Sequence, residues 1–135
     1  GARVDLFDCV AADIGDVQSV MGDLSTFSGH LVLCREVLRA AESASTALVL
    51  LDEVGSGTDP AQGAALARAV LEALVESGAR TVVTTHYAQI KRLAASSAAA
   101  AADGADPRFR GAAMEFRGGR PTYRMKEGSA GESFA

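Results

Sequence analysis

Two rhythms of apolar and polar residues run along this chain, and the switches between them mark its elements. Val4 to Ala12, VDLFDCVAA, is a short apolar run containing Val and Phe and predicts a strand. Asp13 to Leu24, DIGDVQSVMGDL, is polar and turn-rich and predicts a loop. From Ser25 the period lengthens. Phe27, Leu31, Cys34, Leu38 and Ala41 recur at helical spacing with Ser25 or Thr26 available as N-cap, so a helix is expected to about Ala44. Ala47 to Leu51 holds no polar residue and predicts a strand buried on both faces of a parallel sheet.

The next helix opens with three agreeing signals at Asp59-Pro60-Ala61-Gln62. Asp59 can cap, Pro60 suits the first helical position, and Gln62 is placed to reach back in a capping box. Leu66, Val70 and Leu74 mark the expected buried face, and Gly78 the end. Arg80 to His86, RTVVTTH, predicts another short strand with a polar tip, which completes a strand-helix-strand crossover unit. From Lys91 the pattern degrades into AASSAAAAADGAD, a low-complexity stretch at about 94–107 that predicts a short helix running into a loop. GAAMEF and PTYRM then flank Gly118-Gly119 as a hairpin.

Composition narrows the class. At 135 residues the chain is at most one domain, and with 48% hydrophobic but only 5% aromatic residues and no Trp its core must be built from Ala, Leu and Val. A net charge of −4 argues against nucleic-acid binding by bulk electrostatics, and the basic residues from Arg108 to Lys126 read as a solvated face. Cys9 and Cys34 lie among apolar neighbours without metal-ligand spacing and read as buried free thiols in a reducing compartment. No apolar run approaches the roughly 20 residues of a membrane span. The chain opens on Gly1-Ala2-Arg3 without an initiator Met, as if cut from something larger.

The chemistry gathers at the strand ends. In open α/β sheets ligands bind beyond the carboxyl ends of parallel strands. Asp52 and Glu53 arrive there after one strand and His86 after its expected neighbour. Adjacent strand residues point to opposite faces, so the two acids should do different work. Two adjacent carboxylates also call for a positive partner, which a divalent cation bound to phosphates supplies. Asp52 is then the candidate Mg2+ ligand, through the ion's water shell. Glu53 would polarise a water attacking the γ-phosphate, and His86 would bond that phosphate or the water. Solvated acids at a strand end are the plain alternative. The four apolar residues before the pair, the Gly-Ser-Gly turn after it and the TTH tip weigh against that.

With these residues in view, LVLLDEVGSGTDP, TTHY and DLSTFSGHL resemble the Walker B strand, D-loop, switch histidine and signature segment of MutS-family ATPases. ADIGDVQS, LSTFSGH, GSGTDPAQGAALA and RPTYR are most similar to the MutS-II branch of bacteria and plastids; mismatch-repair MutS has GRGTST at the D-loop. The similarity covers about Phe7 to Tyr87, AAMEF and RPTYR, but neither the Ala-rich loop nor MKEGSAGESFA. It implies an α/β P-loop NTPase fold of the ABC-ATPase type, with a mainly parallel sheet and a C-terminal antiparallel hairpin.

The resemblance implies more than the chain contains. No GxxxxGK[ST] loop occurs in it, and in the family that Walker A loop lies upstream of residue 1, so the chain is expected to be the C-terminal part of the ATPase domain. Ser25-Thr26 at a helix N-terminus would favour an anion. In the family this end meets ATP held by the opposite subunit of a homodimer, with Asp59 and the Gly55-Gly57 turn along the same seam. Gln18 is a candidate Mg2+ or water contact, or an ordinary loop glutamine. The implied partners are DNA, through other domains, and the ribosome, in bacterial cytoplasm or plastid, with no membrane. The Smr nuclease domain and clamp of the family lie outside this chain. Two rivals remain: an ABC-transporter ATPase, whose LSGGQ-type signature LSTFSGH departs from, and a non-catalytic dimerisation module.

Overall fold

The computed structural model describes residue 1 and residues 3–14, 26–94 and 108–128. Its backbone falls into two compact units, Gly1–Thr85 and His86–Ala135. In the first unit β1 (Cys9–Asp13), β2 (Ala47–Leu51) and β3 (Arg80–Val83) form a parallel sheet in that order. The helices α1 (Thr26–Ser43) and α2 (Pro60–Glu76) make the two crossovers.

β1 starts later than the apolar run predicts. Its register runs from Cys9 opposite Ala47 to Asp13 opposite Leu51, so β2 sets its length. Just before it, Asp8 N–H donates to the Thr46 carbonyl at 3.0 Å, and the Thr46 hydroxyl donates to Asp8 Oδ2 at 3.2 Å. Val4 and Leu6, expected in the strand, precede it and are exposed. β3 likewise ends at Val83 rather than His86, because β2 ends at Leu51 and the chain turns away.

Burial on the sheet is one-sided. Ala47, Val49 and Leu51 of β2 are buried, and they mark the face covered by α1 and α2, which also pack on each other. Leu48 and Leu50 on the other face are only half-buried, and their register partners Val10 and Val82 are 61% and 59% exposed. The expectation of burial on both faces therefore holds for only one.

α1 buries Cys34 and Ala41 as expected, together with His30 and Val37, while Phe27 and Leu38 are half-buried and Leu31 is exposed. Its charged residues face water, where Arg39 pairs with Glu36 at 3.4 Å. On α2 the Asp59 carboxylate accepts N–H bonds from Ala61 at 3.0 Å and Gln62 at 3.2 Å, and Pro60 sits in the first turn, as the sequence signals require. The Gln62 side chain meets the Thr58 hydroxyl at 3.4 Å instead of closing a capping box. Its helix buries Val70 and Leu74 as expected, with Gly63, Ala64, Ala67 and Leu71, while Leu66 is half-buried. Small residues dominate this face, which lets the helix lie close to its neighbours. Gly78 ends it at φ +79, with Gly78 N–H bonded to Val75 and Ala79 N–H to Leu74, the two bonds of a Schellman cap.

The second unit holds the short α3 (Ala88–Leu93) and an antiparallel hairpin of β4 (Ala112–Arg117) and β5 (Arg120–Glu127). Gly118 and Gly119 both take positive φ in its two-residue turn, as the sequence predicts. The register shifts between Met114 and Phe116, where Thr122 donates to the Glu115 carboxylate at 2.9 Å. Of the low-complexity stretch, 95–107 lies outside the described residues.

Candidate functional site

The three parallel strands finish on one edge, and their ladder continues one residue past them. Asp13 closes β1, and its carbonyl accepts from Asp52 N–H at 2.8 Å; Leu51 C=O accepts from Thr84 N–H at 3.0 Å. Asp52, directly after β2, is thereby held on the β1 side through its backbone. On the β3 side the Thr84 hydroxyl donates to Asp52 Oδ1 and accepts from Glu53 N–H at 3.1 Å.

Glu53 stands at φ +49, in the left-handed region. For a residue with a Cβ this costs about 1 to 2 kcal/mol relative to the right-handed form, so local bonds must hold it. Its N–H bond to Thr84 is one, and the bond from Ser56 N–H to its carbonyl at 3.1 Å is another. The two acids are thus separated by a turn and not by the alternation of a strand. That corrects the physical ground on which the sequence assigned them different directions.

A second link crosses the same edge. His30 is the buried polar side chain among the described residues, at 7% exposure. Its Nδ1 lies 3.4 Å from Asp13 Oδ2 and its Nε2 3.4 Å from Ser56 Oγ. The first turns of α1, the end of β1 and the turn after β2 therefore meet at one imidazole. Behind that turn, Gly55 at φ +85 lies so close to α2 that an added Cβ would sit 2.3 Å from the Gly63 carbonyl oxygen. Glycine at 55 is thus fixed both by its backbone angle and by the neighbouring helix.

Of the residues singled out from the sequence, Asp52 and Glu53 stand together and exposed on this edge. Asp59 is exposed at the start of α2, with Oδ1 engaged in the cap. Thr26 is the first residue of α1. His86 opens the second unit, exposed, its ring centroid 4.5 Å from that of Tyr87. Gln18 and Ser25 lie outside the described residues. Sequence reasoning missed Asp13, His30, Ser56 and Thr84. A signal existed for His30, four residues before Cys34 on the buried stripe. Thr84 was visible as part of a polar tip, but its contacts depend on how two strands end.

Among the described residues no cluster of three or more His, Cys, Asp or Glu side chains could hold a metal ion alone. Mg2+ asks for no such cluster, since it takes one or two carboxylates and completes its shell with water and phosphate oxygens. An exposed Asp52 with one oxygen engaged by a hydroxyl is a hard oxygen donor of that kind. The residues fit the ion.

A mixed α/β chain with a parallel sheet, a polar carboxyl edge and a terminal hairpin is the class these observations define. The chain belongs to the MutS domain V family, which matches residues 1–134. It is similar to proteins called endonuclease MutS2: 46% identical to that of Symbiobacterium thermophilum over 100% of this chain, and 48% to that of Thermus thermophilus over 95%. That of Pelotomaculum thermopropionicum is 46% identical, again over 100% of the chain. In each case the match spans 16% of the relative's length.

Proposed function

We propose that this chain is the C-terminal part of a P-loop ATPase domain of ABC type, which in the whole protein binds and hydrolyses ATP. The observation that carries the reading is the Asp52-Glu53 pair at the carboxyl edge of the parallel sheet, in a chain of the MutS domain V family. Asp52 would hold Mg2+ through its water shell, and the bound ion would offset charge on the phosphates. Glu53 orients and polarises the attacking water, and His86 bonds the γ-phosphate or that water. Thr26, the first residue of α1, and Ser25 before it in the sequence would meet the nucleotide held by the other subunit of a homodimer, with Asp59 along the seam and Gln18 a further contact to ion or water. Family membership favours this over an ABC-transporter ATPase or a purely dimerising module.

ATP-driven closure of the dimer would be coupled to DNA handling, or to stalled ribosomes, by parts of the protein outside this chain. The relatives' printed name, endonuclease, supports the nucleic-acid side of that reading. Their bacterial sources favour a bacterial cytoplasm over a plastid. Among the described residues no helix is long and apolar enough to cross a membrane.

The test uses the full-length protein. Glu53→Gln should keep ATP affinity and lose hydrolysis by about 100-fold or more, because shape survives while basicity goes. Asp52→Asn should instead raise the Mg2+ concentration needed for ATP binding. Identical affinities and identical residual rates for the two variants would sink the division of roles.

A further inference from the structure

We propose that Thr84 is the positioning residue of this site: one hydroxyl, delivered by the end of β3, sets both the carboxylate of Asp52 and the backbone of Glu53. The atoms are specific. Thr84 Oγ1 donates its proton to Asp52 Oδ1 and uses its lone pairs to accept Glu53 N–H at 3.1 Å. A hydroxyl has one donor and two acceptor sites, so it can do both at once, and neither a methyl nor an ammonium can. Thr84 is itself fixed by its N–H bond to the Leu51 carbonyl at 3.0 Å.

Two consequences follow from those bonds. With Oδ1 committed to Thr84, the orientation of the Asp52 carboxylate is set before any ligand arrives. With Glu53 N–H held, the left-handed backbone at φ +49 keeps the Glu53 side chain in one direction. An unheld residue there would relax toward the right-handed region and carry its carboxylate elsewhere. Thr84 touches neither water nor phosphate in this scheme; it acts through the two acids.

The positioning role rests on the ATPase reading only for its second measurement. Three full-length proteins are compared: wild type, Thr84→Val, which keeps the shape and loses the hydroxyl, and Thr84→Ser, which keeps the hydroxyl. The first measurement needs no nucleotide. Hydrogen exchange at the Glu53 amide should accelerate about tenfold or more in Thr84→Val and stay near wild type in Thr84→Ser. The second is Mg2+-dependent binding of a fluorescent ATP analogue, with kcat and KM for hydrolysis. Thr84→Val should need about tenfold more Mg2+ for half-maximal binding and lose kcat more than KM, and Thr84→Ser should restore both. Equal exchange at Glu53 in all three proteins overturns the proposal, as does a Thr84→Ser protein that behaves like Thr84→Val. A Thr84→Val protein with wild-type Mg2+ dependence and kcat overturns it too, provided Glu53→Gln abolishes turnover in parallel. If wild type neither binds nor hydrolyses ATP, the ATPase reading falls, and the Glu53 exchange arm decides the role of Thr84 alone.

Discussion

At the scale of single residues, two backbone angles carry most of the predictive weight. Gly55 combines φ +85 with a backbone approach that would put a Cβ 2.3 Å from Gly63 O. Gly55→Ala should therefore destabilise the first unit by about 2 to 4 kcal/mol, read from denaturant midpoints, because strain and overpacking add. Glu53 shows the opposite balance. Glu53→Gly should leave stability equal or up to about 1 kcal/mol higher, since glycine adopts φ +49 without strain, while ATP hydrolysis is lost. A clear loss of stability in that variant would mean the Glu53 side chain has a structural role.

Cys34 provides a residue-scale test in pH. Burial, and after it the nearby Asp13 charge, push its thiol up from its ordinary value of 9.0. The folded state thus holds the proton more tightly than the unfolded chain. The resulting contribution is complete below about pH 9 and is lost as pH rises through the folded value. Unfolding midpoints should fall above pH 9 in wild type more than in Cys34→Ala, and alkylation of Cys34 at neutral pH should be slow without denaturant.

At the scale of elements, caps and cross-links decide where helices and turns sit. Asp59→Ala should cost about 1 kcal/mol, and Asp59→Asn should recover most of it, because the amide oxygen can accept the two bonds that Asp59 Oδ1 takes from Ala61 and Gln62. The His30 link ties α1, β1 and the Ser56 turn together. His30→Leu keeps the burial and removes both polar contacts, leaving Asp13 beside an apolar group. It should loosen the Ser56 turn, seen as faster hydrogen exchange at Ser56 N–H, even where the helix keeps its circular dichroism.

For the whole molecule, the proposal that a second subunit completes the site is addressed by a mixing experiment. Full-length Ser25→Arg and Glu53→Gln proteins should each be inactive as homodimers. In a mixed dimer one site keeps its own Glu53 and meets an intact Ser25 from the partner, so mixing should restore turnover. Heterodimers that form and bind ATP at both sites yet show no turnover would count against assembly in trans. The 135-residue chain by itself should hydrolyse no ATP above background, since it contains no GxxxxGK[ST] loop to cradle the phosphates.

Local patterns in the sequence determined the elements and several of their ends. Asp59-Pro60 and Gly78 bracket α2 because capping is a contact among neighbours in the chain, and Gly118-Gly119 sets the hairpin turn for the same reason. The apolar run into Asp52-Glu53 was legible as the end of a buried strand, since DEVGSG breaks the run where the strand stops. What pairing decides was not legible. β1 begins at Cys9 because β2 offers it no partner earlier, and α1 buries His30 and Val37 rather than Phe27 and Leu31 because Asp13 and Ser56 lie on that side. Thr84 reaches Asp52 and Glu53 across 32 and 31 residues of sequence. Such a contact exists only once the parallel register is set, and a one-residue slip would turn that hydroxyl to the other face of the sheet.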